Sequence, residues 1–505
     1  IGSPMGSPAA TPTGADAVLP LGAADLVETR AVTEVAPGVT VTRIERGAPS
    51  DADAYAIDVT FLAAEDEAAA LVGRLAGEGF EARVEAIAER APDDPTPGPL
   101  GFRVRIGPFG TQEEATAARE ELLAAGHEAP RVVFSGEDGA ETSGPWVVHV
   151  LEVDPAALEG RVVPVLASRI VPGKERVVEI VARTGAVAAV NGGYFVVGPA
   201  DGTPGDFAGV SIIDGRLLSE AVDGRTALIL PSPSGEGADV AAVETEQTVT
   251  AEDGASREID GRNREPGLIR GCGGDGGDAP TEAPKHDFTC TDESELIHFT
   301  PAFGQLTVAG EGIEVALDGE GAVAEVRQRR GGEIPRDGAV LSATGEAADW
   351  LTEHGAVGAI LRIETRVLAD GKALLAGETA GVVNGGPRLV ENGEVAIAAA
   401  AEGFHWEEDP GFYYRFGVRR NPRTMAGVTA DGRLLLVTVD GRQPGYSVGA
   451  SFAEGAAIMR ALGAAEAVSL DGGGSTAMAV GAELVNRPSD PAGERPDVDA
   501  IVVLP

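Results

Sequence analysis

From residue 146 onward, short apolar segments separated by glycine-rich turns dominate the chain. Asp-Gly pairs mark turns of this kind, among them those at positions 214–215, 223–224, 318–319, 431–432 and 440–441. Asp-Gly flanked by apolar alternation is the strongest short-range signal for a β-hairpin. Helical patterns are few, and we expect helices at 174–184, near 345–353 and at 451–462. This large region is therefore predicted to be a β-rich α+β fold with mixed sheets.

A second pattern occupies residues 54–134. Alternation typical of strands occurs at 54–61, 81–89, 102–109 and 129–134. Helical patterns at 65–77 and 111–123 lie between these segments. Thr111, followed three residues later by Glu114, has the signature of a capping box at a helix start. The order β-α-β-β-α-β is typical of a ferredoxin-like unit. Residues 39–44, which precede this unit, alternate as a further strand.

The charge balance excludes one large class of partners. The chain has 39 Lys and Arg residues against 80 Asp and Glu residues, a formal net charge of −41 at pH 7. Such a field repels DNA and RNA, so no nucleic acid partner is predicted. No apolar run approaches the roughly 18 residues of a membrane helix, so no transmembrane segment is predicted either. Residues 1–30, which begin with a Gly, Ser, Pro, Ala and Thr-rich stretch, are expected to be a linker or tag remnant.

The two cysteines lie in a segment with little periodicity, from about 252 to 295. Cys272 and Cys290 are 18 positions apart, without a second Cys pair or a His at zinc-finger spacing. A zinc site is therefore disfavoured. A disulfide that staples a long loop is the favoured interpretation and fits an oxidising compartment. Two unrelated thiols are the alternative.

Four segments combine strand ends with glycines and polar side chains. They are AAVNGGYF at 188–195, VVNGGPRLV at 382–390, RRNPRTMAGV at 419–428 before the strand 434–442, and VSLDGGGSTAM at 468–478. Glycine at such places lets the backbone approach a ligand. The N–H groups of the last turn can form an anion-binding nest.

Ordinary turn chemistry is the alternative for each motif taken alone. Three consecutive glycines, however, weaken a strand and need a compensating reason. The glycines do not form a P-loop or a dinucleotide-binding fingerprint, and no nucleophile elbow or metal-ligand spacing of histidines occurs. Several common enzyme classes are thereby excluded.

The chain resembles the phosphodiester glycosidase family in four blocks: VNGGYF at 190–195, RNPRTMAGV with LLLVTVDGR at 420–442, AEGAAIMRALGAAEAVSLDGGGSTAM at 453–478, and VNRPSDPAGERP at 485–496. The resemblance covers about residues 146–505 and the strand near 38–48. Residues 54–135, through FRVRIGPF and the helix behind it, resemble a SPOR domain, a module that binds peptidoglycan glycan strands. The order implies a SPOR-like domain at 51–140, inserted between a first glycosidase strand at 31–50 and a catalytic domain at 141–505. The alternative is a degenerate insertion that only packs against the enzyme.

The family resemblance implies cleavage of a sugar C1–O–P bond. Phosphate leaves as a weak base, so the site must mainly stabilise a cationic sugar and a departing anion. Arginine suits the phosphate because its planar fork matches the oxygens. The predicted catalytic residues are Arg423, which matches the family's Arg-Thr-x-x-Gly position, with Asp471, Glu454 and Asp440. For Glu454 the alternative is a favourable charge in a helix's first turn, and for Asp440 it is a structural hairpin.

The resemblance also implies residues that contact the substrate. These are Asn191, Gly192, Tyr194, Asn384, Gly385, Arg420, Gly472, Gly473, Ser475, Thr476, Asn486 and Arg495. No cluster of ligand residues marks a metal, so no metal site or required cofactor is predicted. A divalent cation that bridges phosphate and Asp471 is left open.

These inferences predict an extracytoplasmic bacterial hydrolase that cleaves sugar-1-phosphodiesters in cell-wall, teichoic-acid-like or capsular glycans. Its expected partners are a carbohydrate phosphodiester and, through the SPOR-like domain, peptidoglycan. Two alternatives remain: a non-catalytic wall-glycan-binding protein and an ordinary O-glycosidase on the same fold.

Overall fold

The computed structural model describes residues 17–222, 224–232, 235, 237–272, 289–374, 379–406 and 409–505. Strands outnumber helices throughout, which confirms the β-rich α+β prediction. No helix in the described part of the chain is long and apolar enough to cross a membrane.

The N-terminal third contains seven strands and two helices. They are β1 (Glu28–Ala36), β2 (Val39–Arg46), β3 (Tyr55–Leu62), α1 (Glu65–Gly77), β4 (Ala82–Ile87), β5 (Gly101–Phe109), α2 (Gln112–Ala124), β6 (Arg131–Phe134) and β7 (Trp146–Val153).

The middle of the chain is made of short strands with two helices. They are β8 (Arg161–Leu166), α3 (Val177–Thr184), β9 (Ala188–Asn191), β10 (Ser211–Ile213), β11 (Arg216–Ser219), β12 (Arg225–Pro231), β13 (Asp239–Ala251), β14 (Ser256–Glu258), β15 (Gly261–Arg262), β16 (Leu268–Arg270), β17 (Thr289–Thr291), β18 (Leu296–Phe299), β19 (Ile313–Leu317), β20 (Val323–Arg327), β21 (Ala339–Ala343), α4 (Gly345–His354), β22 (Leu361–Ala369) and β23 (Lys372–Ala373).

The C-terminal part completes the sheets. It contains β24 (Thr379–Asn384), β25 (Arg388–Glu391), β26 (Glu394–Val395), α5 (Pro410–Tyr413) with a π-helical turn (Tyr414–Val418), β27 (Arg423–Thr429), β28 (Leu434–Val439), α6 (Phe452–Ala461), β29 (Ala464–Ser469), β30 (Met478–Val480), β31 (Glu483–Leu484) and β32 (Asp499–Leu504).

Three sheets pack around one apolar core in the main body. Their strand orders are β1-β2-β7-β28-β27-β29-β25-β26, β11-β10-β24-β12-β13-β22-β23 and β31-β30-β9-β32-β8. Each contributes fully buried side chains to the same cluster, for example Leu436, Leu228 and Ile501. The motif strands β9, β24, β27 and β29 therefore run through the centre of the molecule, where their ends are held rigidly.

The ferredoxin-like unit forms a separate four-stranded antiparallel sheet, β4-β5-β3-β6, with its own core. The capping box of Thr111 and Glu114 at the start of α2 is present as predicted. The flanking strands β2 and β7 pair with each other in the main sheet, with Val39 opposite Val153. This pairing favours an insertion, although the domain boundaries themselves stay predictions.

The predicted disulfide is confirmed, whereas the predicted N-terminal linker is partly wrong. Cys272 and Cys290 form the predicted disulfide, with their Cα atoms 6.0 Å apart. The linker expected at 1–30 is wrong in its second half, because Leu19 and Leu21 are fully buried in the core and β1 begins at Glu28. Residues 1–16 and Asp223, of the Asp-Gly turn at 223–224, lie outside the described residues.

Candidate active site

A cavity of about 940 Å³ lies between the ferredoxin-like unit and the main body. Its main-body wall is built where β29 ends and β27 begins, because these strands run antiparallel with Met425 opposite Ser469. Ligand cavities in proteins typically span about 300–1,000 Å³. The cavity is therefore at the upper end of that range.

The glycine-rich turn after β29 faces this cavity. Asp471, Gly472, Gly473 and Gly474 all line it. The Gly472 N–H donates to Asp471 Oδ1 at 2.9 Å, and the Asn191 side-chain amide donates to the Asp471 carbonyl at 2.8 Å. These hydrogen bonds hold the Asp471 carboxylate in the cavity wall.

Two arginines occupy the space that side chains on this turn would fill. A Cβ atom on Gly473 would lie 3.3 Å from a guanidinium nitrogen of Arg442, and one on Gly474 would overlap the guanidinium of Arg495. Gly473 also has a φ of 62°, a left-handed conformation that favours glycine. Gly473 and Gly474 therefore let guanidinium groups lie directly against the turn.

Arginine is concentrated in this cavity, although the whole chain has a formal net charge of −41. Among the described residues, nine arginines line it: Arg131, Arg225, Arg270, Arg415, Arg419, Arg420, Arg423, Arg442 and Arg495. Five acidic side chains line it as well: Asp58, Glu128, Glu137, Asp409 and Asp471. The cavity is thus locally cationic and attracts anions.

Two of these arginines, Arg423 and Arg442, have no carboxylate within ion-pair distance in the part of the chain that the structure describes. Arg423 is 2% exposed and donates from Nε to the Ala450 carbonyl at 2.9 Å. Burial lowers the pKa of Arg423 to about 10, so the guanidinium stays charged at neutral pH. Because a buried charge is costly unless it is paired, a bound anion would stabilise this one.

Arg442 is exposed to the cavity and sits in an unusual backbone conformation. Its Nε and Nη2 donate to the Asn421 side-chain oxygen at 3.2 and 2.9 Å. Its φ is 56°, which is uncommon for a residue with a side chain and is often found at functional sites. This conformation presents the guanidinium beside Gly473.

Three carboxyl groups lie at or beneath the turn. Burial raises the pKa of Asp471 to about 6, against the lowering influence of the Ser475 hydroxyl, Arg495, the Gly472 N–H and Arg270. Burial, and then the charge of Asp471, raises the pKa of Asp499 to about 7. Burial also raises the pKa of Asp497 well above its ordinary value. Asp471 is the member of this group that reaches the cavity.

The rest of the main-body wall is aromatic. Tyr194 packs against Phe404 and Phe416 with ring centroids 5.9 and 6.1 Å apart. Phe416 stacks on Phe404 at 5.8 Å and on Phe412 at 5.5 Å. Aromatic faces beside polar groups suit a ligand with both apolar and polar surfaces, such as a sugar ring.

Comparison with known proteins decides the family. The family model for phosphodiester glycosidases matches residues 311–504, and the SPOR domain model matches residues 51–132. A solved Burkholderia pseudomallei protein, described as a candidate exported protein, is 34% identical over 97% of this chain and 99% of that chain, with a TM-score of 0.88. The chain belongs to the phosphodiester glycosidase family.

A more distant solved structure shares the fold. A hypothetical protein from Synechocystis is 19% identical over 94% of this chain and 75% of that chain, with a TM-score of 0.56. The catalytic domain of a zebrafish N-acetylglucosamine-1-phosphodiester alpha-N-acetylglucosaminidase, auto-inhibited by its pro-peptide, is 14% identical over 84% of this chain and 88% of that chain, with a TM-score of 0.36. No protein with a curated description matches this glycosidase-family chain.

Seven of the residues predicted to act in this glycosidase site line the cavity together. They are Asp471, Arg423, Tyr194, Arg420, Gly472, Gly473 and Arg495. The guanidinium of Arg420 already has protein partners. It forms an ion pair with Glu454 at 2.8 Å and donates hydrogen bonds to the Gly136 and Ala140 carbonyls.

Two carboxylates predicted as catalytic do not line the cavity. Glu454 completes the capping box of α6 with Ser451 and pairs with Arg420, which corresponds to the structural alternative given above. Asp440 is fully buried and accepts hydrogen bonds from Asn486 and Tyr446 and from the Arg487 N–H. Both carboxylates position neighbouring segments, which corrects the expectation that they face substrate.

Three asparagines predicted to contact substrate bind backbone instead. Asn191 donates to Asp471 and accepts from Thr424 Oγ1 at 2.7 Å. Asn384 accepts from the Tyr194 N–H at 2.7 Å, and Asn486 accepts from the Met478 N–H at 2.7 Å. Their side chains hold the motif turns in place from behind the cavity wall.

Four further predicted contacts also lie behind the wall. Gly192 leaves room for the Asp499 carboxylate, and Gly385 packs against the Ser469 carbonyl. Ser475 and Thr476 are buried, with 0% and 1% of their surfaces exposed. Neither residue lines the cavity, and both hydroxyl oxygens are buried.

The sequence motifs missed several cavity arginines. Arg442 stands in the Asp440-Gly441-Arg442 turn, where only the aspartate was considered, and its role depends on a backbone angle that no spacing reveals. Arg225 and Arg270 follow or precede turns far from the four motifs. Within the described ranges, no group of three or more His, Cys, Asp or Glu side chains is arranged to bind a metal ion.

Proposed function

We propose that this protein hydrolyses sugar-1-phosphodiesters at the bond between C1 and the bridging oxygen. The observation that carries the proposal is the placement of Arg423 and Arg442, which have no carboxylate partner among the described residues, in the same cavity as Asp471. Membership in the phosphodiester glycosidase family supports the same reaction. A phosphate diester is an anion that two guanidinium groups can hold.

Each of these three side chains has a separate role in the reaction. As the C1–O bond breaks, its electron pair leaves with the phosphate oxygen, and Arg423 and Arg442 stabilise the added negative charge. The ionised Asp471 carboxylate stabilises the positive charge that develops at C1. Water adds to C1 and loses a proton, so the products are a free sugar and a phosphomonoester.

In this proposal the protein acts in the bacterial envelope. The disulfide between Cys272 and Cys290 fits an oxidising compartment. A SPOR domain and 34% identity to a protein described as exported support the same location. Cell-wall, teichoic-acid-like and capsular glycans that contain glycosyl phosphates are the proposed substrates, with peptidoglycan as a binding partner of the SPOR domain.

A synthetic diester, GlcNAc-α-1-phospho-methyl, tests the activity directly. We expect the wild-type protein, offered this and related sugar-1-phosphodiesters, to release reducing sugar and a phosphomonoester in equal amounts. Replacing Arg423 or Arg442 by Gln should lower kcat/KM about 100-fold or more, as loss of a preorganised charge-stabilising group does.

Arg366→Gln is the matched control, because that arginine is exposed on β22 and pairs only with Glu246 among the described residues. It should leave kcat/KM unchanged. Absence of release from every diester of the panel would refute the hydrolase. Equal hydrolysis of phosphate-free aryl glycosides, insensitive to Arg423→Gln, would instead indicate an ordinary O-glycosidase.

A further inference from the structure

The SPOR domain packs closely against the glycosidase body. In a free ferredoxin-like unit the sheet face opposite the helices is open. Here Arg103 and Arg105 on that face are only 9% and 3% exposed. Arg105 donates to Asp138 at 2.9 Å, and Arg103 donates to the Tyr414 hydroxyl at 2.6 Å. Much of the face that a free module would present is therefore occupied by the enzyme body.

Stacked rings continue this interface to the cavity. Phe61 on β3 stacks on Tyr414 with centroids 4.7 Å apart and planes 19° apart, and both residues line the cavity. Asp58, which pairs with Arg105 at 2.6 Å, also lines it. The docking contacts and the cavity wall are thus one continuous surface.

The SPOR domain contributes part of the wall of the cavity that the glycine-rich turn also lines. Its described contribution comes from β3, from the segment around β6 and from the start of α2: Tyr55, Asp58, Val59, Thr60, Phe61, Gln112, Glu128, Ala129, Arg131, Val132, Val133 and Phe134. Tyr55 and Phe134 form an aromatic pair with centroids 5.3 Å apart. Both rings are half-buried, so part of each is available to a ligand.

This wall has the composition of a sugar-binding surface. The tilted rings of Tyr55 and Phe134 offer apolar faces, and Thr60, Gln112 and Arg131 offer hydrogen-bonding groups in the same cavity. Sites that bind ligands combine a mainly apolar lining with a few polar groups that fix orientation. A volume of about 940 Å³ is also more than one sugar phosphate needs.

We infer that the SPOR domain supplies a second sugar-binding subsite to the active site, so that the preferred substrate is an oligosaccharide containing the phosphodiester. The inference rests on the proposed hydrolase function and deepens it. Arg423, Arg442 and Asp471 bind the reacting phosphate and sugar. Tyr55 and Phe134 bind another sugar unit of the same oligosaccharide. Glycan recognition by the SPOR domain and catalysis then take place in one shared cavity.

The test compares short and extended substrates in one variant. The short substrate is GlcNAc-α-1-phospho-methyl. Two extended substrates carry a GlcNAc disaccharide, one on the phosphate's alcohol side and one on the glycosyl side. Tyr55→Ala should lower kcat/KM for at least one extended diester about tenfold and leave the short diester unchanged, because only the longer ligand reaches the ring.

Three variants keep the result interpretable. Tyr55→Phe retains the ring and should restore most of the activity on the extended substrate. Gln112→Ala, at an exposed position that does not threaten folding, should cause a similar selective loss of about threefold. Phe80→Ala removes an aromatic side chain of the same domain that does not line the cavity, and it should change neither rate.

The outcomes separate this inference from the proposed function. If the wild-type protein cleaves the short and extended diesters but Tyr55→Ala and Gln112→Ala lower all rates equally or none, the second subsite is wrong and the hydrolase stands. If the wild-type protein cleaves none of the diesters, the proposed function fails first.

Discussion

At the scale of single residues, the charge state of Asp471 sets the expected pH dependence. Its pKa is raised by burial to about 6, so the carboxylate is increasingly protonated below that pH. If the ionised form stabilises the positive charge at C1, kcat/KM should fall about tenfold per pH unit below pH 6. A pH profile of kcat/KM on the methyl diester measures this acid limb.

Asp471→Asn should lower kcat by about 100- to 1,000-fold and remove the acid limb from the remaining activity. Asp499→Asn is the matched control, since Asp499 titrates near pH 7 behind the wall and its Oδ1 accepts from Gly193 at 3.1 Å. That variant should keep the limb near pH 6. A fully active Asp471→Asn protein with an unchanged profile would contradict the assignment.

The site was only partly predictable from single residues. The sequence singled out Asp471 because it ends a strand before three consecutive glycines, and Arg423 because it matches the Arg-Thr-x-x-Gly position of the family. The sequence did not distinguish side chains that line the cavity from buried side chains that hold the backbone. Asn191 and Asn486 occur in the motifs as well, but they bind backbone groups. Arg442 could not be found because its position depends on a φ of 56°.

At the scale of elements, the backbone conformation of the turn after β29 leaves room for the Arg442 guanidinium. Gly473 and Gly481 both have left-handed backbones, with φ of 62° and 54°, but only a Cβ on Gly473 meets Arg442. Replacing either by Ala should lower the free energy of unfolding by about 1–2 kcal/mol. Only Gly473→Ala should also lower kcat/KM, because the added Cβ displaces the guanidinium.

Denaturant unfolding and steady-state kinetics on the two variants check this expectation. The Gly481 position is a matched control because its Cβ would meet no other atom within 4 Å. Equal kinetics in the two variants would mean that the turn does not position Arg442.

Helices and paired strands were the most predictable elements. The helix at 65–77 and the capping box at Thr111 follow from local periodicity and side-chain chemistry, and α1 and α2 begin where those signals lie. The single strand predicted at 31–50 is a hairpin of β1 and β2; β1 was not predicted as a separate strand, because much of it is exposed on a sheet edge and its alternation is weak. Pairing between β2 and β7, about a hundred residues apart, is a tertiary contact that no local pattern encodes.

At the scale of the whole molecule, one acidic chain concentrates its arginines where two domains meet. The chain has a formal net charge of −41, yet nine of the described arginines line one cavity. Because residues of the SPOR domain and of the glycosidase body line the same cavity, the proposed substrate would contact both domains. Glycan binding and phosphodiester cleavage would then be joined in one cavity.

A crystal structure of the Asp471→Asn protein with GlcNAc-α-1-phospho-methyl bound tests the central claim most directly. The variant should retain substrate, since its arginines are intact. We predict the phosphate between Arg423 and Arg442, with C1 of the sugar beside position 471 and the ring near Tyr194. A phosphate bound outside this cavity, or one that contacts neither arginine, would contradict the account.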